Sequence, residues 1–223
     1  MKRQQSGFTL VEIAIVLVII GLLLGGILKG QELINSAKVK NLANDFRVIP
    51  TYIYAYQDKY RALPGDDATV ASHVTGATQA STPAGAQGNG VINGNWNSTT
   101  QTDESYLFWQ HVRLANLAAG GTDPTDTVNY PPRNAVGGLL GISSATATTT
   151  QIAGMTGTYQ VCSQGILGKF VKQLDIQMDD GNTATGSMRA TAEPVGAPGA
   201  AAVCTSGPGC IDDATNYTVC MTF

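Results

Sequence analysis

The sequence predicts an α+β protein. It has a long N-terminal helix, membrane-spanning and then amphipathic, packed on a small antiparallel sheet, and a disulfide-stabilised C-terminal region. Three observations point that way. An almost unbroken apolar run from Phe8 to Leu28 passes into apolar residues at helical spacing and then an aromatic continuation to Tyr60. Short alternating stretches, MTGTYQVCS and NYTVCMTF, come late in the chain and read as strands. All four cysteines, Cys162, Cys204, Cys210 and Cys220, lie in the last third.

The helix comes first. Residues 1–7, MKRQQSG, are short, polar and basic. From Phe8 to Leu28 only Thr9, Glu12 and glycines interrupt the apolar run, which as a helix reaches about 30 Å, the thickness of a hydrocarbon core. Lys2 and Arg3 precede it, which places the N-terminus in the cytoplasm and everything after Lys29 outside. A cleaved secretory signal has a shorter apolar region and a small-residue cut site, and no A-x-A follows this one. Beyond the span, Leu33, Ile34, Ala37, Val39, Leu42, Ala43 and Phe46 recur at helical spacing among Gln31, Glu32, Lys38, Lys40 and Asp45. Pro50 falls inside the pattern and is expected to kink it or mark a joint. One helix from about Phe8 to Tyr60 is expected, ended before Leu63-Pro64-Gly65.

The remainder, 61–223, reads as a globular head. From Pro64 to about Asp103 the composition is that of a long surface loop, anchored by Val91, Ile92 and Trp96. Glu104 to Gly120 reads as a second helix, with Leu107, Phe108, His111, Leu114 and Leu117 on one face, Asp103 in the cap position and Gly120 at its end. A further Gly/Pro/Thr loop runs to about Gly154. GILGKFVKQLDIQMDDG reads as a short helix or strand closed by a Gly turn. With 223 residues the chain supplies one sizeable core plus an appended segment.

Charge and motifs narrow the function. The net charge is -3, and the 13 Lys and Arg are scattered, so nucleic acid is not expected as the main ligand. His73 and His111 are the only histidines. No GxSxG, HExxH or P-loop accompanies them, so an enzyme is not expected. His111 is read as a packed, hydrogen-bonded residue, and His73 as part of a loop. The even cysteine count, after an export-like N-terminus, reads as two disulfides. Structural zinc competes, but its usual CxxC pairs are missing. Cys204 and Cys210 bracket a Gly/Pro-rich loop they can close locally, leaving Cys162 for Cys220; Cys162 with Cys204 and Cys210 with Cys220 also fits the sequence order.

Glu12 is the odd residue. A carboxylate near a bilayer core costs several kcal/mol, so it needs a partner, and no Lys or Arg lies nearby in the span. The one cation that can be made there is a new N-terminus, if the chain is cut just before Phe8. Phe8 and Glu12 are then four apart on one helix face, and the ammonium can pair with Glu12 of its own chain or a neighbour.

These residues, GFTLVEIAIVLVIIGLLL, resemble the N-terminal signature of type IV prepilins and type II secretion pseudopilins, with Gly7 before the cut, Phe8 first and Glu12 fifth in the mature chain. The resemblance implies a type IV pilin-like fold, with residues 1–7 a leader, 8–60 the helix and 8–28 the transmembrane and filament core. It further implies cleavage after Gly7 by a prepilin peptidase, N-methylation of Phe8, and Glu12 meeting the N-terminal ammonium of an adjacent subunit at an inner-membrane assembly platform. The implied partners are other copies of the chain and other pilins. The implied route runs from the inner membrane, head in the periplasm, to a cell-surface pilus or periplasmic pseudopilus. Gly21, Gly25, Gly26 and Gly30 lower helix propensity by about 1 kcal/mol each relative to Ala, which suits local unwinding on assembly or close helix packing. A membrane-tethered binding module that never polymerises is the alternative.

LPGDD, GNGVINGNW and LDIQMDDGNTATGSMRA more loosely resemble a group of bacterial prepilin-like proteins. No cofactor is required on this reading. By analogy with pseudopilins that use a calcium-stabilised loop, Asp66, Asp67, Asn89, Asn93, Asp103 and Glu104 are candidate calcium ligands. Asn-Gly pairs also make turns without any ion. Asp175, Asp179, Asp180 and Gly181 are read as a helix end and turn rather than a ligand set.

Overall fold

Leucine, isoleucine and valine fill the first three turns and most of those that follow, and they form helix α1, Leu10–Tyr60, 51 residues long. A computed structural model describes residues 9–146, 151–194, 196, 198–207 and 209–223. The rest of the secondary structure is α2 (Val70–His73), α3 (Glu104–Leu114), β1 (Leu140–Ser144), β2 (Tyr159–Leu167), α4 (Gly168–Met178), β3 (Met188–Ala192) and β4 (Asn216–Thr222).

The chain divides at Lys38/Val39 into two compact units, and the larger of them begins inside α1. The burial pattern explains why. Every leucine, isoleucine and valine from Leu10 to Leu28 is exposed. From Val39 onward, Leu42, Ala43, Phe46, Ile49, Ile53 and Tyr56 form a buried stripe at three- and four-residue spacing. Each large side chain in that stripe contributes about 1.5–3 kcal/mol by leaving water. Pro50 does not break the helix, which is continuous through it. The missing Pro50 N–H leaves the Phe46 carbonyl without its usual donor, while the next residue, Thr51, donates its hydroxyl to Val48 O at 2.6 Å.

The sheet has four strands in the order β1-β2-β4-β3, antiparallel throughout. Val161, Ile166, Val219, Tyr217, Met188 and Ala190 pack in one cluster with Phe46, Ile49 and Ile53 of α1 and with Phe170, Val171 and Leu174 of α4. β1 falls in a stretch read from sequence as loop, and β3 in one for which the sequence reading names no element. All five residues of β1 are buried, so its LGISS shows no alternation of apolar and polar positions.

α3 is shorter than its apolar spacing suggests. It ends at Leu114, and Asn116 takes φ +61°, so the Leu117 N–H reaches Val112 O and the Asn116 N–H reaches Arg113 O. That is a Schellman cap with asparagine in the left-handed position usually given to glycine, and it stops the helix well before Gly120. Leu117 therefore lies past the helix. Asp103 occupies the N-cap position, but its carboxylate takes the Ser98 hydroxyl at 2.6 Å instead of a helix N–H.

Candidate functional site

The N-terminal end of α1 begins with Thr9-Leu10-Val11-Glu12. The Glu12 carboxylate accepts the Thr9 backbone N–H at 2.8 Å and the Thr9 hydroxyl at 2.7 Å, while the Glu12 N–H donates to Thr9 Oγ1 at 3.3 Å. This is a reciprocal capping box, which satisfies N–H groups that a helix start otherwise leaves bare. The T-x-x-E spacing announces it in the sequence, where the missing cation is the more conspicuous signal. In the single chain Glu12 is thus held by its own helix end, four residues from Phe8. Gly7 and Phe8 themselves lie outside the described residues. Downstream, α1 is the helix long and apolar enough to cross a membrane, and its most apolar window is wholly unburied within the chain. Its glycines at 21, 25, 26 and 30 have no atom within 4 Å of where a Cβ would stand, so in the single chain they leave open space.

The residues expected to hold calcium have partners of their own within the chain. Asp66 Oδ1 takes the N–H groups of Gly88 and Asn89 at 2.6 and 3.2 Å, and Oδ2 that of Gly90 at 2.7 Å. Asp67 takes the Tyr56 hydroxyl, the Thr69 N–H and hydroxyl, and His73 Nδ1 at 2.6 Å. Asn89 Oδ1 accepts the Val91 N–H, and Glu104 Oε2 accepts both Asn93 N–H and Nδ2 at 2.8 and 2.9 Å. Backbone N–H groups aim at several of these oxygens. LPGDD and GNGVING do meet, but as a carboxylate set into a nest of amides. Burial pushes Asp66 and Glu104 above the ordinary carboxylate range. Burial acts on Asp67 in the same sense, but hydrogen bonds from His73, Thr69 and Tyr56 outweigh it and hold Asp67 below that range.

Beside this nest, His111 is fully buried. Its Nδ1 accepts the Gly65 N–H at 2.9 Å, so Nε2 carries the proton and donates to Thr78 O at 2.8 Å. Gly65 needs to be glycine there: its φ is +90°, and a Cβ would collide with Glu104 O. Burial holds His111 below the ordinary histidine range, so it is neutral in the fold. Its contribution to stability is therefore complete above the unfolded value of about 6.5 and is lost as pH falls from there toward the folded value. His111→Leu leaves the Gly65 N–H and the Thr78 carbonyl unpaired and is expected to cost about 2–4 kcal/mol. Thermal melting of the full chain in detergent from pH 8 to 5 checks both points, since the variant should melt lower at pH 8 and show a flatter decline below pH 6.5.

The four cysteines pair Cys162 with Cys220 and Cys204 with Cys210. Register explains the first pair, because Cys162 in β2 stands directly opposite Cys220 in β4. A turn explains the second: Gly207 takes φ +124°, the Cys210 N–H reaches Gly207 O, and the Ile211 N–H reaches Cys204 O.

A long apolar N-terminal helix, continued into the core of an α+β unit with two disulfides in its C-terminal region, is the build of a type IV pilin-like protein. Residues 2–28 match the prokaryotic N-terminal methylation motif, which is the type IV pilin and pseudopilin signature. That match covers residues 2–28 of 223 and supports a pilin-like or pseudopilin subunit; proteins of that type are structural subunits that assemble with other pilins after prepilin-peptidase processing. The signal with its apolar helix fits insertion in the membrane before residence in a surface or periplasmic filament. No curated protein matches the chain.

Proposed function

We propose that the chain is a subunit of a type IV pilus, a helical surface filament serving adhesion, surface motility or DNA uptake. Cleavage after Gly7 and N-methylation of Phe8 release it for assembly through the packed α1 helices. The observation that carries this is the combination at the start of α1: a carboxylate, Glu12, at the head of a helix whose leucines, isoleucines and valines from Leu10 to Leu28 find no cover within their own chain. Lipid covers them before assembly, and the helices of neighbouring subunits cover them after it. The freed Phe8 ammonium then gives Glu12 the cation that the span lacks, and the pairing sets the axial register between neighbours. The length of the head and its Gly/Thr/Asn-rich loops support a surface pilus over the pseudopilus of a type II secretion system.

The test is N-terminal peptide mapping by mass spectrometry on filaments sheared from cells. The expected result is an abundant chain beginning at N-methyl-Phe8. A processed chain that stays periplasmic assigns it to a pseudopilus. Retention of Met1–Gly7 in the membrane fraction overturns the filament reading in favour of a tethered module.

A further inference from the structure

The last turn of α3 and the loop that follows it enclose an open cleft of about 480 Å³, lined by Arg113, Arg133, Val128 and Asn129 and by no Asp or Glu. Pro131, Pro132 and Arg133 also line a second cleft, of about 190 Å³, whose other walls include Trp96, Trp109, Thr99 and Thr127. The two clefts thus share one wall, with two arginines on one side of it and aromatic rings with hydroxyl groups on the other.

Arg113 is 7% exposed. Its Nη1 donates to the carbonyls of Gly121 and Tyr130 at 2.8 and 2.7 Å, and its guanidinium lies 5.5 and 5.2 Å from the ring centres of Trp109 and Tyr130. Those partners orient the group but bring no full negative charge. Its Nε is buried without an acceptor. Ion pairs among the described residues involve Lys29, His73 and Lys172, and neither arginine. The acid in the adjoining loop, Asp126, accepts the N–H groups of Val128 and Asn129 and the Asn129 amide, which closes its own turn. Arg133 is exposed, and its Nη1 donates to Gly137 O at 3.0 Å. A buried cation without a counter-charge is costly, and an anion entering from outside offsets that cost.

We propose that the paired clefts bind an acidic polysaccharide of the uronic acid class, with a carboxylate facing Arg113 and Arg133 and a neighbouring sugar ring in the aromatic cleft. The planar fork of arginine matches a carboxylate, and no acid lines the site to compete with the ligand. A pyranose ring has an apolar face of C–H groups and a rim of hydroxyls, which suits tryptophan walls set with threonines. Two arginines without a lysine cluster serve widely spaced single charges better than the dense phosphates of a nucleic acid. Every residue of the site belongs to the larger compact unit, so binding does not depend on whether the chain polymerises.

Trp96 and Trp109 are the two tryptophans of the chain, so intrinsic fluorescence reads this cleft directly. The experiment titrates the full chain in detergent micelles with trigalacturonate, with its neutral methyl ester and with triglutamate. Trigalacturonate should give a saturable change with a Kd of about 1 mM or below. The ester, which keeps the sugar, and triglutamate, which keeps the charge, should each bind at least about tenfold more weakly. Arg133→Gln should weaken trigalacturonate by at least about tenfold at an unchanged melting temperature, since Arg133 is exposed. No saturable change, or an unaltered affinity in Arg133→Gln, overturns the site. Equal binding of the ester overturns the role of the arginines, and equal binding of triglutamate overturns the sugar in favour of an acidic peptide.

Discussion

Glu12→Ala is expected to leave leader cleavage intact and to lower the amount of the chain in sheared filaments by at least about tenfold. Tenfold corresponds to about 1.4 kcal/mol, and a charge-assisted hydrogen bond away from water contributes about 1.5–3 kcal/mol. The capping box gives a second way for this variant to fail, because a lost cap costs about 0.5–2 kcal/mol of helix stability. Glu12→Gln separates the two. Glutamine serves in a capping box, so its side-chain oxygen can still take the Thr9 N–H, but it brings no charge to an ammonium. If pairing with the freed N-terminus governs assembly, Glu12→Gln should be as depleted from filaments as Glu12→Ala. Normal filament yield from Glu12→Gln would sink the pairing idea and leave Glu12 a helix cap. Quantitative immunoblots of sheared and cell-bound fractions, with mature and precursor bands resolved, supply the measurement.

Replacing Cys162 and Cys220 together by serine is expected to destabilise the globular unit by about 4 kcal/mol, and replacing Cys204 and Cys210 by about 2 kcal/mol. The difference comes from loop length: the first bridge spans a sequence separation of 58 residues and the second only 6. In the chain-entropy picture the longer loop removes more freedom from the unfolded chain. For a unit of this size the first pair should lower the melting temperature by about 8–16 °C and the second by about half that. Calorimetry on the full chain in detergent tests the ranking. Equal drops would mean that the bridges act through native-state packing, since Cys162 and Cys220 sit buried beside Trp96, Ile152 and Met155.

What can be read from sequence follows from where the physical signal is strong. The apolar run to Leu28 and the stripe from Val39 to Tyr56 each report one environment per face, so α1 is visible to within a few residues at either end. β2 and β4 carry tyrosine, valine and cysteine among polar residues, and they too are visible. β1 has no polar face, and β3, MRATA, is too short and too weakly apolar to stand out. α3 is buried on nearly every side, so apolar spacing does not mark its end, and its cap is an asparagine rather than a glycine. In the candidate site, Glu12 stands out because a charge inside an apolar run is anomalous, while the roles expected of Gly7 and Phe8 rest on the family resemblance of residues 2–28. The role of the Asp66 cluster is not legible, because the donors that occupy its oxygens are main-chain amides, which every residue except proline carries and no sequence pattern singles out.

The bare first half of α1 has a consequence for how the cell can handle this protein. Each of its leucines, isoleucines and valines from Leu10 to Leu28 stands uncovered, so a lone subunit in water is an amphiphile rather than a solute. There can be no free aqueous pool of it. On the proposed function, subunits exist in the lipid phase or in the polymer, and growth of the filament is a transfer between two water-poor phases. If the filament shortens, its subunits must re-enter the bilayer at the base one by one, and the supply available for regrowth is then set by the area of membrane in which they are dissolved.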